Sequence, residues 1–137
     1  MTAKPTSAPT RRTPAVQDDA LTVARAYHDA WTTRNFETAA HCLAETLVVE
    51  VPINDYPTRA DFLSAVQLTR EMTSAIDVLA EFGNASEALL LYDMRLPMTE
   101  LRVAEHFTVA DGQITRIRQI HDTAALRAAG VGQPVVG

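Results

Sequence analysis

Residues 101–120 read LRVAEHFTVADGQITRIRQI, and a turn lies at their centre. Asp111-Gly112 is a pair that tolerates positive φ, a strong short-range signal for a two-residue β-hairpin. Before the turn, Val103, Phe107 and Val109 alternate with Arg102, Ala104, His106 and Thr108, so one face of a strand is apolar. Glu105 has the parity of that apolar face. After the turn, residues 113–120 supply a second strand. Ile117, Gln119 and His121 share one of its faces, while Arg116 and Arg118 point to the other together with Ile114 and Ile120.

Toward the N-terminus, residues 97–100 connect this hairpin to a strand over 88–96, and Gly83-Asn84 turns that strand into an earlier one. There Ile76, Val78, Ala80 and Phe82 alternate with Asp77, Leu79 and Glu81, which predicts a strand with one buried face. Before Ser74 the period becomes helical. Thr58 with Asp61 three residues on forms a capping-box-like start to a helix carrying Phe62, Ala65, Val66 and Thr69 inward. Residues 53–57 are a loop, and 47–51 (LVVEV) a β-branched run stopped by Pro52. Asn35 caps a short helix with Phe36, Ala39, Ala40 and Leu43 inward. Asp18 or Asp19 caps a first helix whose stripe is Val23, Tyr27 and Trp31, flanked by Ala20, Ala24 and Ala30. Three helices followed by strands in meander order predict an α+β fold. Its single curved, mostly antiparallel sheet would wrap the three N-terminal helices on its concave face and leave a pocket between the layers.

Composition narrows the class. The chain has 137 residues, a one-domain length, with 47% hydrophobic and 21% charged residues. The longest apolar run, 88–92, is far too short to span a bilayer, and no signal-peptide core follows Met1. The single cysteine, Cys42, excludes an internal disulfide and a multi-cysteine zinc site, so a reducing cytoplasm is expected. Net charge is −5, split between +3 in residues 1–17 and −8 in the remainder. An acidic body, in a chain with one lysine overall, is a poor nucleic-acid binder. Residues 1–17, rich in Pro, Ser and Thr, read as a disordered tail before a domain over 18–130, with a C-terminal tail over 131–137. Three prolines in 1–17 oppose the amphipathic helix of a transit peptide.

Glu105 is the most informative side chain. Buried and ionised it would cost several kcal/mol unless paired, hydrogen-bonded or protonated; alternatively it lies at an open rim and stays solvated. Tyr27 and Trp31 serve either as core or as pocket wall with polar tips. Tyr56 either covers the pocket mouth or sits half exposed. His121 faces the pocket as an acid/base or ties down the chain end beside Asp122. His28 and Asp29 flank the helical stripe and are expected to be solvated. Adjacent His41-Cys42 cannot comfortably chelate one ion, and no His-x-x-x-His or paired-Cys spacing exists, so no metal site is expected. Cys42 reads as a small core residue. No Gly-rich phosphate loop is present, and no cofactor is expected.

These elements together resemble the nuclear transport factor two-like cone fold, in its SnoaL-like and ketosteroid isomerase branch, over residues 18–130. The resemblance is carried by Tyr27 and Trp31, Arg34-Asn35-Phe36-Glu37, Val49-Glu50-Val51-Pro52, Thr58-Arg59-Ala60-Asp61-Phe62, Glu105-His106-Phe107, Asp111-Gly112-Gln113-Ile114 and His121-Asp122. It implies that Tyr27 stands at the isomerase's active-site tyrosine, and Glu105 at its protonated aspartic acid before His-Phe. In that family such a pair stabilises a dienolate oxygen. The isomerase's base, an aspartate before proline, is replaced by Val51 before Pro52, which argues against steroid isomerisation. Glu50 is one residue away, on the other face of an ideal strand unless a bulge turns it inward. Limonene epoxide hydrolase and SnoaL-like polyketide cyclases are similar too, but their acidic residue corresponds to Gln119, which cannot take a proton. Asp93 and Arg95 resemble the hydrolase's bridging pair in reversed order; if Tyr92 and Met94 face inward, both charges are an exposed feature instead.

The expectation is therefore a pocket for a small, mostly apolar molecule carrying a carbonyl or phenol oxygen. Tyr27 and Glu105 would donate to that oxygen, with Glu50 or His121 as base for proton transfer beside a carbonyl. Ligand contacts would come from Trp31, Val51, Tyr56, Phe62, Tyr92, Phe107 and Gln119. A homodimer is expected from the resemblance, its interface covering the sheet's outer face. The alternatives are a non-catalytic binding domain, and an interaction domain using Arg102, Arg116 and Arg118. Catalysis requires Glu50 or His121 in one cavity with Glu105; the interaction reading is favoured if Trp31, Phe62 and Phe82 fill that cavity.

Overall fold

A computed structural model describes residues 19–132 of the chain. The tail expected over 1–17, the alternative cap Asp18 and residues 133–137 lie outside the described residues. Helix α1 (Asp19–Thr32) buries Ala20, Ala24, Tyr27, Ala30 and Trp31 of the expected stripe, whereas Val23 is only half-buried and Leu21 is buried in addition. In α2 (Phe36–His41), Asn35 Oδ1 accepts from the Thr38 backbone N–H at 3.2 Å. This helix ends at Cys42, whose carbonyl accepts from the Ile114 N–H at 2.8 Å. That bond draws the chain into strand β1 (Leu43–Glu50) four residues earlier than expected, so buried Leu43 opens a strand and does not extend the helix. In α3 (Arg59–Met72) Thr58 is the N-cap: its Oγ1 accepts from the Asp61 N–H at 3.1 Å and donates to the Asp61 carboxylate at 2.8 Å.

Strands β2 (Ala75–Gly83), β3 (Glu87–Arg95), β4 (Glu100–Ala110) and β5 (Gln113–Ile120) follow, and then a short helix α4 (Ala124–Ala128). Five residues are too few for a periodic signal, so the sequence pattern does not mark α4. The sheet order is β1-β5-β4-β3-β2, with β1 parallel to β5 and the other pairs antiparallel. The result is an α+β fold with a curved, unclosed mixed sheet. Helix α1 packs across β2 to β5, and α3 against β1. The β4–β5 turn has φ of +54° at Asp111 and +75° at Gly112, the paired positive values of a type I′ turn.

Two bulges correct the parity read from alternation. Thr108 pairs with Arg116 but Val109 with Ile114, so Thr115 is an extra residue in β5. The bulge turns Ile114 inward beside Ile117, and both are fully buried. In β2, Val78 pairs with Tyr92 and Ala80 with Leu91, leaving Leu79 as the extra residue. Ile76, Val78, Ala80 and Phe82, expected on one face, are thereby split between two. Ile76 and Val78 pair with the inward Met94 and Tyr92, whereas Phe82 pairs with Leu89 on the outer side and is 63% exposed. The expected single buried face does not form. Among the described residues no helix is long and apolar enough to cross a membrane.

Candidate functional site

Between the helices and the sheet lies a cavity of about 140 Å³. Strict alternation in β3 and β4 aims Tyr92, Met94, Leu101, Val103 and Glu105 at it from below, and β5 adds Gln119. The helical stripes supply the roof, Tyr27 and Trp31 from α1 with Phe62 and Val66 from α3. The loop after β1 contributes Val51, Ile53 and Tyr56, and the C-terminal segment contributes Leu126 and Val131. Tyr56 stacks edge-on against Phe62 at 5.7 Å, and its hydroxyl accepts from Asn54 Nδ2 at 3.2 Å. Exposed lining residues Asn54 and Met72 mark where the cavity meets solvent.

Glu105 is 1% exposed, which excludes the solvated-rim alternative. Both of its oxygens are engaged. Oε1 accepts from the Tyr92 hydroxyl at 2.9 Å, and Oε2 from Gln119 Nε2 at 2.8 Å. Gln119 is the direct β5 partner of Glu105, so strand register creates this contact. Burial pushes the Glu105 carboxyl above the usual carboxylate range, while the bonds from Gln119 and Tyr92 pull against that rise. Tyr27 rests edge-on against Phe107 at 5.9 Å. Its hydroxyl makes no hydrogen bond among the described residues. Burial, then the negative charge of Glu105, lifts its ionisation well above the ordinary phenol value, so Tyr27 stays a donor.

His121 also lines this cavity, with Nδ1 3.0 Å from the Asp122 carbonyl oxygen. A carbonyl can only accept, so Nδ1 carries the hydrogen of this contact and Nε2 is the nitrogen left for chemistry on the cavity side. The cavity thus joins an unpartnered phenol, a buried carboxyl with two donors, and an imidazole in mostly apolar surroundings.

All the proposed site residues line the cavity except two. Glu50 pairs with Arg118 in the β1–β5 register and bonds Arg116 and Arg118 on the outer face. No bulge rotates it inward; Val51 takes the inward place. Phe107 is one step deeper than the cavity, as core beneath Tyr27. Asp93 faces outward and grips Arg102 at 2.8 and 3.0 Å, while Arg95 approaches Glu100 at 3.6 Å. The three arginines of the proposed interaction face are therefore each engaged by an acid of this chain. His28, expected in solvent, is buried with its ring 5.5 Å from Trp31 and 5.0 Å from Tyr92. The cavity-lining methionines Met72, Met94 and Met98 had not been singled out. The inward parity of Met94, shared with Tyr92, was the available signal.

No curated protein matches the chain. A protein from Kribbella flavida is 36% identical, covers 82% of this chain and 94% of its own, and superposes with a TM-score of 0.77. A steroid delta-isomerase from Pseudomonas aeruginosa shares the fold at 14% identity, with coverage of 82% and 86% and a TM-score of 0.69. So does an LEH-like epoxide hydrolase from M. tuberculosis, at 16% identity, with coverage of 82% and 89% and a TM-score of 0.65. The model of the SnoaL-like domain matches residues 24–117, more than half of the sequence, and the chain belongs to that family.

Proposed function

We propose that this protein binds a small apolar molecule through one carbonyl or phenol oxygen and transfers a proton beside that carbonyl. The observation that carries the reading is the joint placement of Tyr27, Glu105 and His121 in one apolar cavity. Tyr27 donates to the ligand oxygen. Glu105, whose burial favours the acid form, donates beside it, with Tyr92 and Gln119 fixing its two oxygens. His121 Nε2 removes a proton from the carbon next to the carbonyl. The C–H electron pair becomes the C=C bond of an enolate whose oxygen the two donors stabilise, and the imidazolium returns its proton to carbon.

The test is loss of α-protons from cyclohexanone in deuterated water, followed by NMR. Exchange catalysed by the native chain, and lost in both Tyr27→Phe and His121→Gln, supports the reading. Exchange unchanged in His121→Gln removes the base, and no exchange in the native chain leaves a binding protein.

A homodimer through the sheet's outer face is the second element of the proposal. Phe82 and Ile120 are 63% and 73% exposed there, and the register joins them through Leu89, Leu91 and Ala104 in one apolar band. Sedimentation should give twice the chain mass for the native protein and the chain mass for Ile120→Glu. A native monomer would overturn it.

A further inference from the structure

We infer that the ligand of this cavity is a one-ring aromatic molecule, a phenol or an aryl ketone, with its oxygen at the Glu105 end and its ring against methionine. The inference rests on the binding reading above and specifies its ligand. Size is the first argument. The cavity holds about 140 Å³, and an enclosed apolar space of about 150 Å³ accommodates benzene. A framework of four fused rings needs a multiple of that volume. Although the cavity meets solvent at Asn54 and Met72, the walls around its interior belong to the core: Trp31, Phe62, Tyr92 and Val103 are buried. None can swing aside without opening a void in a close-packed interior.

Polarity along the cavity is the second argument. Glu105 and Leu101 share one face of β4, four residues apart, which separates their backbones by roughly 13 Å. The buried acid stands at one end of this line, where Glu105 pairs with Gln119 and Tyr27 leans on Phe107, while Asn54, Thr69 and His121 are further polar groups of the lining. At the other end Leu101 pairs with Met94, and Leu96 and Met98 close the space. A ligand matching this arrangement carries its oxygen at the Glu105 pole and an apolar body toward Leu101, Met94 and Met98.

Methionine is the third argument. The chain has four methionines, and three of them, Met72, Met94 and Met98, line this cavity. Their thioethers make favourable contacts with aromatic rings, and their unbranched chains adapt to a planar guest.

The test is calorimetric titration of the full chain with 4-ethylphenol, 2-naphthol and estradiol, which present one, two and four rings behind the same phenol. The native chain should bind 4-ethylphenol at least about tenfold more tightly than 2-naphthol, and should not bind estradiol. Tyr27→Phe should weaken 4-ethylphenol about fivefold, since one hydrogen bond to the oxygen is lost. Met98→Ala, at a half-buried position in the β3–β4 connection, should narrow the preference for one ring over two by enlarging the apolar end. Circular dichroism confirms that each variant is folded before titration. Estradiol or 2-naphthol binding the native chain as tightly as 4-ethylphenol overturns the one-ring inference while leaving the pocket reading intact. Failure of the folded native chain to bind any of the three overturns both.

Discussion

Replacing Tyr92 by Phe removes one oxygen atom and keeps the ring that packs 5.0 Å from His28. What is lost is the 2.9 Å bond from the Tyr92 hydroxyl to Glu105 Oε1, between two fully buried side chains. The cost depends on the charge of Glu105. A bond to a neutral acceptor is worth about 0.5–1.5 kcal/mol, and one to an ionised group about 1.5–3 kcal/mol. Burial raises Glu105 above its ordinary value of 4.5, so the folded chain keeps a proton that the unfolded chain has released. In that window the native state binds more protons than the unfolded state, and stability from this group falls as pH rises. Below 4.5 both states are protonated, and the contribution is complete and flat. The Tyr92 bond opposes the rise, so Tyr92→Phe moves the folded value further up and deepens the loss on the alkaline side. The mutational cost should therefore grow by roughly 1 kcal/mol between the acid and alkaline limits. Urea unfolding of both proteins at pH about 5 and about 8.5 measures this, because groups that titrate alike in both cancel in the difference. A cost that is equal at the two pH values, or smaller at the higher one, would refute the coupling of Tyr92 to a titrating Glu105.

Glu50→Gln should leave phenol affinity and ketone exchange within about twofold of the native chain, as expected for a surface site away from the cavity. A large loss of exchange in that variant would return the base to the outer face. Gly83→Ala should lower stability by about 1–3 kcal/mol in the same unfolding assay, because the new Cβ would lie 2.7 Å from Leu21 Cβ where α1 meets β2. Thr58→Ala should cost about 1 kcal/mol, since it leaves the Asp61 N–H at the start of α3 without its cap; an unchanged midpoint would show that solvent replaces the bond fully.

Features governed by local rules were legible in the sequence. The Asp111-Gly112 turn, the Thr58 and Asn35 caps and the α1 stripe depend on residues within one turn of each other, so neighbours in sequence are sufficient to specify them. Unbroken alternation in β4 likewise placed Glu105 on the buried face with Val103 and Phe107. That parity and the α1 periodicity together bring Tyr27 and Glu105 to the same interior.

Tertiary structure decided what alternation cannot carry. A single extra residue at Leu79 or Thr115 reverses every side chain beyond it, and nothing in the apolar pattern marks where the insertion falls. Those two bulges left Phe82 on the outer side and buried Ile114. The same limit applies to the site. Glu50 and Val51 are adjacent candidates in the sequence, and only the pairing of β1 with β5 gives Glu50 to the outer arginines and Val51 to the cavity. The state of Glu105 depends on Tyr92, thirteen positions away, and Gln119, fourteen positions away, both delivered by register across neighbouring strands. A chain's own residues specify its turns, caps and stripes through short-range sterics and hydrogen bonds. Whether a buried carboxyl meets two donors depends on strand register, which is a property of the assembled sheet.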